Sequence, residues 1–362
     1  MDGRRALFDH AKFAAVALVV CAHTWMPLLD DRVTVGAVLT VAAFAMPLFT
    51  TLCGYFARPR PGRPAVDGPR LVTQLAVPYL VFQVLYQLAG FSLPVHLLEP
   101  RWLTWFLLSL LLWRLSVPLW TALRRPLPVA VLVAAASGTA TALPAQFALG
   151  RTLGFLPFFV LGLTLRPEHF ALLRTRPARR LAPLVLALVA AGFWLAAPRL
   201  LDPGWIEYTD SAAQLHTRYL PWLAVRAALG AVALLAGAAF LALLPDRPTR
   251  WTRLGAASLY VYLLHGLVLK VLQHAGLYRR PELHHWYVAL PLLGAFALAL
   301  AVVLALPASV RLLRPLVQPP VGRLLAPRAP AQRPSLDDLS GHVGATGVDA
   351  ASGKSVAPAQ QA

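Results

Sequence analysis

Charge is scarce in this chain. Only 13% of its 362 residues are Asp, Glu, Lys or Arg, while 58% are hydrophobic and the mean hydropathy is +0.62. An ordinary soluble domain carries about twice that charged fraction. Cysteine is nearly missing as well. The two present, Cys21 and Cys53, lie inside apolar stretches, which speaks against a disulfide framework and against a Cys-based zinc site. There is no phosphate-cradling glycine loop, no Gly-x-Ser-x-Gly elbow and no cluster with metal-ligand spacing, so P-loop, serine-hydrolase and metalloenzyme readings have nothing to stand on.

What the chain does have is long uncharged runs. Val33–Ala57, Leu71–Leu98, Pro126–Gly150 and Trp286–Val310 are each 25 residues or more without Asp, Glu, Lys or Arg. A hydrocarbon core needs about 20 helical residues to cross it. The expectation is therefore an all-α polytopic membrane protein with about ten transmembrane helices. They fall near 13–29, 33–57, 71–90, 102–123, 127–144, 152–165, 181–198, 226–244, 254–273 and 286–310. The formal charge of +18 and pI near 11.2 could point to nucleic acid. Most of the Lys and Arg, however, fall on one side of these spans when both termini are placed in the cytoplasm, which is the positive-inside asymmetry. The basic excess then sets topology, and no nucleic-acid partner is expected. Thirty of the 33 basic residues are Arg, a bias we read as that of a GC-rich bacterial genome, with a multi-pass protein in the bacterial cell membrane. The first span follows a charged N-terminus without a small-residue cleavage site, as in a retained signal anchor.

Residues 1–315 read as one membrane domain without internal repeats. Residues 316–362, rich in Pro, Ala, Gly and Ser, cannot bury enough apolar surface to fold and read as a disordered cytoplasmic tail. Any chemistry must then sit among the helices. Two loops stand out. One is 166–180, whose arginines would lie against anionic headgroups. The other is the external loop 199–225, with Asp202, Glu207, Asp210, Trp205, Tyr208 and Trp222. Its aromatics serve either as interfacial anchors or as a stacking platform for a sugar.

Ionisable groups inside a membrane are costly, so each one there is a candidate functional residue. Lys12 and His23 lie eleven residues apart, about three turns plus 20°, and so share one helix face about 16 Å apart along the axis. Asp9, one turn before Lys12, joins the stripe. An imidazole that titrates near neutrality suits general-base work on a hydroxyl; a hydrogen bond to a neighbouring helix is the bland alternative for His23, and snorkelling to headgroups the bland alternative for Lys12. In the third span, Tyr79, Gln83 and Gln87 form a second stripe, with Gln74 below it, that either touches substrate or joins helices. Arg151 sits in a tight turn or re-entrant mouth, and Arg114 lies within a span; either would bind an anion or pair internally. Ser258 and His265 share a face of the ninth span beside Tyr262, and a hydrogen bond to a neighbouring helix is the favoured role for this second histidine, with a polar functional interior as the other. Arg58, Arg60, Arg63 and Arg70 form the best phosphate-binding cluster.

Six segments taken in order resemble the integral-membrane acyltransferase family 3, whose members O-acylate sugars and antibiotics. Asp9, Lys12 and His23 match its D-x-x-[KR]-x(10)-H first helix. FTTLCGYF (49–56) is similar to its Ser-Gly-Phe/Tyr ending, with Cys53 in place of serine. GPRLVTQLAVPYLVF (68–82), RWLTWFLLSLLLWRL (101–115), RTLGFLPFFVLGLTLR (151–166) and LGAASLYVYLLHGLVL (254–269) resemble the later ones. The resemblance implies ten helices and transfer of an acyl group, often acetyl, from cytoplasmic acyl-CoA as co-substrate, with no metal. The acceptor would be a hydroxyl of a glycan, lipid-linked sugar or glycosylated small molecule. His23 would be the catalytic base and Lys12 the cation near the donor, oriented by Asp9. Arg70, Gln74, Tyr79, Trp105, Arg151, Ser258 and His265 make up the expected donor and acceptor contacts. Where the family has Arg-x-x-Arg before Pro-Tyr, this chain has Arg70 and, near the second position, Gln74. Some relatives carry a C-terminal hydrolase-like domain that this sequence lacks, so it would transfer directly or through a separate acceptor-side partner protein. An acyl-histidine intermediate is the alternative order. The rival classes are a transporter or flippase for an acylated or acidic small molecule and a non-catalytic scaffold.

Overall fold

The computed structural model describes residues 3–62, 64–90, 95–197 and 202–321, and among them every regular element is helical. In lipid no water is present to take up backbone N–H and C=O groups, so a helix, which satisfies them internally, is the natural spanning element here. The main helices are α1 (Gly3–Trp25), α2 (Arg32–Ala57), α3 (Gly68–Ala89), α4 (Trp105–Leu115), α5 (Pro126–Ser137) and α6 (Leu149–Gly154). They continue with α7 (Leu156–Thr164), α8 (Arg176–Ala196), α9 (Tyr219–Leu243), α10 (Ser258–His274), α11 (Trp286–Ala305) and α12 (Pro307–Val317). Arg63, residues 199–201 of the loop expected to be external and the tail from 322 onward, all given readings above, lie outside the described residues.

Among the described residues, seven helices are long and apolar enough to cross a membrane. An eighth crossing is obtained if α6 and α7, bent by 54° at their junction, count as one. The remaining two of the ten expected segments are helical but short. The fourth yields α4 and then, past Ser116, a separate turn at Val117–Ala122. The fifth ends at Ser137 rather than near 144, because Gly138 follows, where an added Cβ would lie 2.3 Å from the Trp222 ring. The expected loop 199–225 is also shorter, since α9 begins at Tyr219 and takes Trp222 into its first turn. Within α3 the winding loosens to π over Val72–Ala76, directly before Pro78. Proline lacks the N–H for the ladder and its ring crowds the carbonyl four residues back, which such a bulge relieves.

At the centre is α2, which packs against α1, α7, α8 and α9. Two glycines permit its closest crossing. A Cβ on Gly54 would meet the Phe159 carbonyl oxygen at 2.0 Å, and one on Gly162 would meet that of Thr51 at 2.1 Å. Helices without a hydrophobic drive between them associate through such small-residue contacts. Gly54→Ala is therefore expected to lower the unfolding midpoint of the purified protein by the equivalent of about 1–3 kcal/mol or more. Gly192→Ala, on α8 with nothing within 4 Å of its added methyl, should leave the midpoint unchanged or raised.

Candidate active site

The first-helix stripe forms two separate places. At one end, the Lys12 amine pairs with Asp9 at 2.7 Å and lies 5.6 Å from the centre of the Phe56 ring. At the other end His23, three turns on, turns to α10 and meets His265.

The partners of these two histidines assign their tautomers. His265 Nδ1 lies 2.9 Å from the Val261 carbonyl oxygen, which can only accept, so Nδ1 carries the proton and Nε2 is left as an acceptor. His23 Nδ1 lies 3.0 Å from that Nε2 and must donate to it. The proton of His23 is thereby held on Nδ1, and its Nε2 keeps a lone pair. The rings stack at 5.3 Å, with Trp102 edge-on to His23 at 5.5 Å.

His23 lines a cavity of about 80 Å³ shared with Trp105, Arg151, Glu207 and Tyr262. Arg151 pairs with Glu207, and its guanidinium lies 5.1 Å from the centre of the Trp105 ring. Two glycines on one face of α6 make this pairing reachable. A Cβ on Gly150 would strike the Thr209 carbonyl at 1.8 Å, and one on Gly154 would reach the Tyr208 Cβ at 2.6 Å. The 203–210 segment therefore lies flat on α6 and delivers Glu207. Tyr262 donates its hydroxyl to the Leu103 carbonyl at 2.5 Å. In chemical terms the cavity offers one basic nitrogen, one cation and one carboxylate within an otherwise apolar wall.

The third-span stripe has a different task. Gln83 donates to the His96 and Glu99 carbonyls at 2.7 and 2.6 Å, and accepts from the Arg101 N–H and the Thr104 hydroxyl. Gln87 bonds both backbone groups of His96, and Tyr79 donates to the Leu97 carbonyl at 2.5 Å. These side chains cover two turns of α3, about 12 Å, and the chain from 96 to 104 lies along them, with the carbonyls of His96, Leu97 and Glu99 and the N–H groups of His96 and Arg101 bonded to them. Tyr79 thus holds the segment that carries Trp102 and is not among the cavity residues. Ser258 begins α10, two turns from His265, and stays outside that cavity too.

The aromatics of the 199–225 loop do not form an open platform. The Arg226 guanidinium, buried in α9, sits 4.7 Å from the Tyr208 ring centre, 5.3 Å from Trp222 and 5.7 Å from Trp205. It donates to the carbonyls of Gly204, Trp205 and Asp210. Stacking is used internally. Glu207 had been only one acid among three in that loop; its role depends on a contact 56 residues away in sequence.

At the Lys12 end, Lys12 and Arg114 both lie near Cys53, and Arg70, Arg60 and Asp67 lie near Arg114. Arg70 donates to Gln74 at 3.1 Å. Arg58 is turned away, donating to the Leu165 carbonyl at 2.5 Å. His10 anchors this end, with one nitrogen on the Pro245 carbonyl at 2.9 Å and the other on the Thr249 hydroxyl at 2.7 Å. Lys12, Arg60, Arg70 and Arg114 outnumber the carboxylates of Asp9 and Asp67, a balance suited to a polyanion.

A family model described as an acyltransferase domain matches residues 5–310. No curated protein matches the chain, and no solved structure does.

Proposed function

The chain belongs to the acyltransferase family whose domain spans its residues 5–310, and from that membership we propose that it is a membrane O-acyltransferase using acyl-CoA, with acetyl as the favoured group. In this reading the cations at the Lys12 end hold the phosphates of the donor. The donor's flexible arm spans the roughly 16 Å to His23 and presents the thioester at the cavity. The acceptor is a hydroxyl of a glycan, lipid-linked sugar or glycosylated small molecule, and the setting is the bacterial cell membrane.

The observation that carries the reading is His23, whose proton the His265–Val261 chain fixes on Nδ1, leaving Nε2 as the basic nitrogen, and whose ring lines a cavity with a cation. His23 Nε2 takes the acceptor's hydroxyl proton as the oxygen attacks the thioester carbonyl. Arg151 balances the negative charge that builds on that carbonyl oxygen. The carbon–sulfur bond then breaks, and the CoA thiolate leaves with the proton from His23. Glu207 holds Arg151 in place, and the Asp9 carboxylate orients Lys12.

Purified protein given acyl-labelled acyl-CoA and envelope glycans or glycosylated small molecules should release free CoA thiol and leave the label on an acceptor. Recovery of the thioester intact, on either side of a vesicle, would exclude transfer. Within the same assay His265 is a positioning residue. His265→Phe is expected to lower kcat about 10–100-fold with KM little changed. His265→Gln, whose side-chain oxygen can accept from His23 Nδ1, should recover part of the loss.

A further inference from the structure

A larger cavity, about 390 Å³, lies between α5, α7 and α9 and takes no part in the chemistry above. Its walls are aliphatic and aromatic, with Leu127, Val131, Phe158, Leu161, Leu223 and Leu234 among them. Val131 and Leu234 are 49% and 43% exposed, so its flank is on the outer surface of the bundle, where lipid lies. The other end of the cavity is polar. Tyr208, Asp210 and Arg226 line it, and Tyr208 and Arg226 are each only 8% exposed. The Tyr208 hydroxyl and the Arg226 Nε are buried there with no hydrogen-bond partner. Burial pushes the Tyr208 phenol up to about 12, against the pull of Arg226, so it remains a donor at any ordinary pH.

Two unpartnered donors sealed behind the wall of an apolar cavity call for an acceptor attached to an apolar chain, which a small turn of either side chain would admit, because an unmet buried donor is costly. Asp210 lines the same end as Arg226, and a carboxylate there would repel a phosphate, so a neutral oxygen fits this end better. An ester carbonyl at the head of an acyl chain has that form. We infer that this cavity holds one acyl chain of a membrane glycerophospholipid, its ester carbonyl accepting from Tyr208 and Arg226. The inference uses no step of the transfer reaction.

The structure also contains its own control. A second groove of about 420 Å³, between α8 and α9, is lined by Val185, Leu188, Val189 and Val232 and has no polar side chain in its lining. It represents ordinary wetting by lipid. A site-filling variant is available too, since the space beside Gly230 is open, with the nearest atom, Phe158 Cζ, 3.9 Å from an added Cβ. Gly230→Leu places a side chain in the cavity at a helical position where leucine is preferred to glycine.

The test uses purified, delipidated full-length protein in detergent and phosphatidylglycerol with a diazirine midway along one acyl chain. After photolysis, label on the α5 and α9 residues of this cavity should exceed that on Val185–Ala196 by about fivefold and be displaced by unlabelled phosphatidylglycerol. Gly230→Leu should lower it about fivefold, and Tyr208→Phe should raise the half-saturating lipid concentration about fivefold, the value of one lost hydrogen bond. Should the leucine variant fail to elute as a single peak, Gly230→Ala reads the same competition with a smaller fall. Equal labelling of both grooves overturns the inference, as does displacement by a plain alkane as effective as by the phospholipid.

Discussion

His23→Ala is expected to lower acyl transfer about 10²–10⁴-fold, the usual contribution of a positioned general base. The fall should appear in kcat, with little change in KM for the donor, because the proposed site for the donor's phosphates is about 16 Å away at the Lys12 end. The variant should still fold. The ring faces a cavity, and its loss leaves one acceptor, His265 Nε2, without its partner, at a cost of about 1–3 kcal/mol. His23→Gln sharpens the test, since glutamine can donate to His265 but cannot take a proton. Both variants should insert and elute as the parent does while releasing almost no CoA thiol. Normal turnover by purified His23→Ala would falsify the mechanism.

The second large effect is expected at Arg151. Arg151→Leu removes the cation beside the base and strands the Glu207 carboxylate, and kcat should drop about 10²–10³-fold, as when a charge-stabilising donor is lost from an acyl-transfer site. Two explanations must be separated. If Arg151 only satisfies Glu207, then Arg151→Leu/Glu207→Leu, which removes both charges, should return most of the activity. If Arg151 meets the reacting carbonyl, the double variant stays as slow as the single. We expect the second result, with a coupling energy between the two residues in the thermal midpoint, since they touch. Glu207→Gln, which keeps the shape and one hydrogen bond to Arg151, should lose less than either.

The parts legible in the sequence were those set by local periodicity. The helical class followed from uncharged runs, and Asp9, Lys12 and His23 followed from spacing along one helix. His265 was visible as a second histidine inside a span, although its pairing with His23, 242 residues away, was not. The Tyr79–Gln83–Gln87 stripe was correctly an inward face. Its partner, the folded-back chain at 96–104, carries no periodic signal because it is held by side chains of another element. Glu207 and the aromatic cage of Arg226 were hidden for the same reason. Their positions depend on Gly150 and Gly154 admitting a backbone segment at van der Waals distance, which composition does not report. Span lengths were overestimated in the fourth span, which breaks at Ser116, and in the fifth, which stops before Gly138.

The pairing of Arg151 with Glu207 also constrains how the chain is made. When α6 leaves the ribosome it carries a bare guanidinium, and its counter-ion is 56 residues further on. At 5–20 residues per second that is a delay of about 3–11 s. The half-helix pair cannot settle between its neighbours until α8 has been threaded and the 203–210 strap arrives to neutralise it. Until then it waits near the headgroups or inside the insertion machinery. Pulse-chase glycosylation mapping of nascent chains truncated before and after residue 207 would detect that late repositioning.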